Sequence, residues 1–171
     1  MGYTTDFTGS FSLNKPLSAE HNHYLTLFGQ TRRMKRNQSR ASKLPDLVRN
    51  GAKLPIGNEG AYFVGGAGDY GQDADDSVVD FNTPPLGQPS LWNQWVPSED
   101  GKSIMWNGGE KFYEYTHWIV YITEHFLKPW GYVLNGDVEW IGEDSDDRGM
   151  LSIKDNVLKI KRATIVWQDV E

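Results

Sequence analysis

The stretch "GEKFYEYTHWIVYITEHFLKPWG" (Gly109–Gly131) constrains the fold more than any other part of the chain. Phe112, Tyr115, Ile119, Ile122 and Phe126 recur in steps of three and four, which predicts one apolar helical face. Glu114, His117, Tyr121, Glu124 and Lys128 fall on the opposite stripe. Pro129 and Gly131 then stop the helix, since proline cannot continue it and glycine tolerates the left-handed turn that follows. The tail changes period. "GYVLNGDVEWIG" alternates Tyr132, Leu134, Gly136, Val138 and Trp140, and reads as one long strand with a bulge. "GMLSIKDNVLKIKRATIVW" reads as two more strands about Asp155-Asn156, with the acidic "EDSDD" as the turn before them.

A helix that buries one stripe needs a sheet to bury it against. Tyr3–Leu13 supplies a first strand, rich in Thr, Phe and Tyr. Ser18 is positioned to cap a first helix that carries Leu17, Tyr24, Leu25 and Phe28 on one face and runs to about Asn37 despite Gly29. "AYFV" (Ala61–Val64) reads as a short strand, Asp69–Pro89 as a long loop, and the segment around "SEDG" (Ser98–Gly101) as a hairpin. The predicted fold is a single α+β domain over 1–171. It is a mainly antiparallel sheet with two amphipathic helices on one face, in a ferredoxin-like β-α-β-β-α-β pattern with extra C-terminal strands.

Composition removes several functions. There is no cysteine, so disulfides, thiolate metal sites and cysteine nucleophiles are absent. The opening "MGYTTDFTGS" has neither a basic region nor an apolar run, so no signal peptide is expected. The longest apolar run is broken by His117, Glu124 and His125, which argues against a membrane span and for a cytoplasmic protein. A net charge of −6 disfavours nucleic acid and anionic membranes as partners. Yet eight of the 17 basic residues and one of the 23 acids lie between Arg32 and Lys53. Such a segment can build an anion site, end a helix favourably, or pair with the protein's own acids.

The motifs are weaker than they look. Gly66, Gly68 and Gly71 spell a dinucleotide fingerprint, but "DADDSVVDFNTPP" follows where a helix must start, and its acids would repel a phosphate. Asp69, Asp73, Asp75, Asp76 and Asp80 could offer oxygen ligands, but they lack the central glycine and terminal glutamate of a calcium loop, and no metal or cofactor is assigned. His21-Asn22-His23 and Glu114-x-x-His117 lie on predicted helices without the further ligands that their metal-site namesakes need. There is no phosphate-binding loop and no nucleophile elbow.

Several stretches, "LFGQTRRMKR", "LPIGNEGAYFVGGAGDYGQD", "PPLGQPSLWNQW", "NGGEKFYEY" and "LKPWGYVLNGDVEWIGEDSDDRG", resemble a family of small proteins of uncharacterised activity from bacteria and their phages. The resemblance spans most of Leu27–Gly149 and assigns no functional residue. It implies a cytosolic, mobile-element setting and an accessory or anti-defence role. The combined expectation is a non-catalytic binding protein that sequesters a small anionic, nucleotide-like ligand or a host protein. The contacts would come from Arg32, Arg33, Lys35 and Arg36, with Tyr70, Gln72, Trp92 and Trp95 from the loops. A hydrolase using Asp69, Asp73 or His117 is the alternative, and a homo-oligomer stays open.

Overall fold

The computed structural model describes residues 2–66 and 75–171. Its elements are β1 (Thr5–Gly9), β2 (Phe11–Leu13), α1 (Ala19–Gln30), β3 (Lys35–Arg36), α2 (Gln38–Ala41), α3 (Leu47–Gly51), β4 (Val78–Asp80), β5 (Trp95–Pro97), β6 (Ser103–Trp106), α4 (Tyr115–Ile122), β7 (Leu134–Gly142), β8 (Arg148–Lys154) and β9 (Val157–Arg162). The main sheet runs β5-β6-β2-β7-β8-β9, with β1 also on β7, and its pairings are antiparallel. With α1 between the first strand and β5, and α4 between β6 and β7, this is the ferredoxin-like order. β8 and β9 extend it past β7.

The expected first strand is present, but kinked. β1 and β2 meet β7 in one continuous register, from Thr5↔Gly142 to Leu13↔Leu134. The break at Ser10 lies beside Gly9 (φ 105°) and Gly136 (φ 137°), and a Cβ on Gly136 would sit 2.9 Å from the Ser10 carbonyl oxygen. Both β hairpins are where the sequence puts them. Asp155 and Asn156 take the positive φ of a tight β8–β9 turn, and Gly101 does so between β5 and β6.

Tyr24, Leu25 and Phe28 of α1 and Trp118, Ile119 and Ile122 of α4 form one core with Phe11, Trp95, Ile104, Leu134 and Val138 of the sheet. Each such side chain contributes about 1.5–3 kcal/mol on burial. The opposite face of the sheet is open to solvent, as Thr8, Glu139 and Lys161 show.

Four expectations are corrected. First, α1 stops at Gln30 rather than near Asn37, because Thr31 turns extended and spends its hydroxyl on the Leu27 carbonyl. The arginines are therefore not its last turn. Gly29 is not a weak point either, since a Cβ there would lie 2.7 Å from Val96 Cγ1, so glycine lets the helix sit close on β5. Second, "AYFV" is not a strand. Its carbonyls are taken by side chains, Ala61 and Phe63 by Arg33 and Tyr62 by Tyr24. Third, the expected loop of 69–89 contains β4, which pairs with β3. Fourth, Tyr121 is buried, not on the polar stripe of α4.

α4 ends in a π-turn over Thr123–Leu127, where the Lys128 N–H reaches the Thr123 carbonyl at 2.8 Å. The Thr123 hydroxyl bonds the Ile119 carbonyl beside it. Within the described residues, 31–66 and 75–94 form an insertion between α1 and β5, and that insertion holds the arginine-rich segment.

Candidate functional site

Arg33, Arg36 and Arg49 point inward. Arg33 is 2% exposed, and its guanidinium donates to the carbonyls of Ala61 (2.7 Å) and Phe63 (2.9 Å) and to Gln88 Oε1 (3.3 Å). It lies 4.2 Å over the Phe28 ring. Burial pulls its pKa down to about 10, so it stays charged at neutral pH. Arg36 is also buried, over the Phe63 ring, and donates to Asp75 and Ser77. Arg32 bonds the Phe81 carbonyl and Asn82, and Lys35 pairs with Glu59 at 3.4 Å. Arg49 is fixed to the buried carboxylate of Asp46 and to the Leu54 carbonyl. The basic segment thus pairs with the protein's own acids and carbonyls, one of the three roles its composition allows.

Trp95 walls no cleft with these groups. Trp95 is in the core, edge-on to Phe7, Phe11 and Phe112, and its indole N–H donates to the Tyr115 carbonyl. Trp92 is half-buried in a loop whose Leu91 carbonyl accepts from the Arg33 backbone N–H. Tyr70, Gln72, Asp69 and Asp73 lie outside the described residues.

The acids that are described serve the fold. Burial pushes the Asp75 carboxyl up, but hydrogen bonds from Ser77 and Arg36 outweigh this and hold it below its usual range. Asp80 caps the turn at Asn82 and Thr83. His117 contacts Glu114 at 2.6 Å on exposed surface, and His21 stacks on Trp130 at 3.8 Å and meets the Tyr132 hydroxyl. Among the described residues no three His, Asp or Glu side chains gather as a metal ion would require.

A different cluster leads from Arg33 to the surface. Gln88 accepts from Arg33 through Oε1 and donates through Nε2 to the Ala61 carbonyl and, at 3.0 Å, to the Tyr121 hydroxyl. The Tyr121 ring stacks on His125 at 3.9 Å. His125 is exposed, and its Nδ1 lies 2.9 Å from the Tyr62 hydroxyl. Burial lowers the His125 pKa, raises that of Tyr62, and pushes Tyr121 up to about 12. At neutral pH the imidazole is therefore neutral and both phenols keep their protons. With Tyr62 donating to Nδ1, the imidazole proton sits on Nε2.

Arg33 alone of this cluster was a sequence candidate. One signal was readable for the others: Tyr121 and His125 stand four apart in a helix, the spacing at which rings meet. The π-turn that begins at Thr123 adjusts this end of α4, where such turns often mark working sites. No helix of the described residues is long and apolar enough to cross a membrane. Compared with protein-family models, curated proteins and solved structures, the chain finds no match in any of the three.

Proposed function

We propose that the chain is a non-catalytic binding domain that sequesters a small anionic, ring-bearing ligand of nucleotide type at Tyr62, Tyr121 and His125. One observation carries this reading. Among the described residues the buried Arg33 guanidinium bonds neutral acceptors, and its contacts lead through Gln88 to rings at the surface. A buried charge without a bonded counter-charge is costly, and a ligand anion nearby offsets part of that cost. The outer rings offer stacking faces and an imidazole N–H. Sequestration is the mode that a mobile-element setting favours.

Native mass spectrometry and thermal shift against nucleoside mono-, di- and triphosphates, with inorganic phosphate as control, test the reading. A ligand at about 100 times its Kd adds about 2.7 kcal/mol of stability. The expected shift is lost in Tyr62→Phe and His125→Ala and kept in His117→Ala, whose exposed imidazole contacts Glu114 instead. No shift with any nucleotide, or a shift unchanged in His125→Ala, overturns it.

A further inference from the structure

Among the described residues, exposed apolar side chains gather along β9 and the segment after it. β9 pairs only with β8 among the described strands, and its outer edge is open. Val157 and Ile160 are exposed on it. After the Ala163 N–H bonds the Arg148 carbonyl, the arm 164–171 makes no backbone hydrogen bond to the described residues and carries Ile165, Val166, Trp167 (91% exposed) and Val170 (94% exposed). An open β edge continued by an apolar arm is a template for strand pairing.

The charges on this stretch say what kind of strand fits. β9 is basic (Lys159, Lys161, Arg162) and the arm is acidic (Asp169, Glu171). We infer that the occupant is a second copy of this chain, joined by antiparallel pairing of residues 159–171 about a two-fold axis at Ile165. In that register Lys159 faces the second copy's Glu171, Lys161 faces its Asp169, and Ile160 faces its Val170. Ala163 faces its Trp167, and the two-fold axis doubles every pair. Parallel pairing or a shift by one residue loses these matches.

The same register gives the indole a seat. Glu139, Met150 and Lys161 form one cross-strand row, and Ile141 and Arg148 form the next, which Ala163 continues. Between these rows lies a hollow of about 350 Å³ on the solvent face of the sheet. Trp167 opposite Ala163 reaches over it, with Ile141 and Met150 as apolar contacts and Arg148 as a cation for the ring face. The contact is smaller than the roughly 20–30 residues a side of a standard interface, so its Kd is on the order of micromolar.

Sedimentation velocity of the full chain from about 1 to about 200 µM tests this. The expected result is a reversible monomer–dimer equilibrium that weakens at least about tenfold in Trp167→Ser, with the low-concentration melting curve unchanged. Lys161→Glu and Asp169→Lys should each weaken the dimer, and the two together in one chain should restore it. A monomer throughout the range overturns the inference, as does a dimer that Trp167→Ser leaves intact. Failure of the double variant to recover overturns the register. Arm-dependent binding of another protein by a chain that stays monomeric rejects the second copy as the occupant.

Discussion

The sandwich and the insertion hold together by different physics. The sandwich of α1, α4 and the sheet is closed by rings and aliphatic chains, such as Phe28 against Trp118 and Phe126. The insertion buries apolar side chains such as Met34, Phe63 and Val64 but relies on arginine as well: Arg33, Arg36 and Arg49 are buried and tie its turns together. Each guanidinium satisfies several acceptors at once, which a leucine cannot do. The difference teaches that a basic cluster in a sequence can be interior scaffolding.

The largest test contrasts the two regions directly. Trp118→Ala, in the sandwich, is expected to cost about 4 kcal/mol and to lower the single unfolding transition of the whole domain, as read by urea denaturation. Arg33→Leu is expected to cost about 3 kcal/mol, because it strips the Phe63 carbonyl and Gln88 Oε1 of their donor. Hydrogen exchange should then speed up across 31–66 while α4 stays protected. Equal loss of protection in both would break the contrast.

Where the two regions touch, Gly29→Ala drives a methyl toward Val96 and should cost about 1–3 kcal/mol by thermal melting. The pH dependence sharpens the comparison further. The folded pKa of His125 is lowered, so its stabilisation is full above the unfolded value of 6.5 and is lost as pH falls through the folded one. Melting points should drop as acid is added below about pH 6.5, and His125→Gln should flatten that slope. Asp75 acts lower: its carboxylate supports the insertion above about pH 4 and is lost as pH falls below that. The smallest effect belongs to exposed Glu114→Gln, expected within about 0.5 kcal/mol because its ion pair with His117 is solvated.

The sandwich was legible because periodicity is a local property. The step of three and four in Gly109–Gly131, the alternation after it and the Asp155-Asn156 turn each state their own structure within a few residues. Of the candidate site the sequence singled out Arg33, for direct anion contact; in the folded chain its guanidinium donates to two carbonyls and to Gln88. Helix spacing placed Tyr121 with the polar stripe of α4, but the residues around Gln88 cover it, and those lie far away in sequence.

The amino-acid order by itself determined the α+β class, the strand and helix order that gives the sandwich, the hairpin turns, and the absence of thiol chemistry. Tertiary structure alone decided that Arg33, Arg36 and Arg49 face inward, that "AYFV" gives its carbonyls to side chains, and that Gln88 joins Arg33 to the Tyr121–His125 stack. The reason is that the acceptors of the Arg33 guanidinium are mostly backbone oxygens. Every residue carries one, so no spelling of side chains marks which will be used until the chain has folded around the charge.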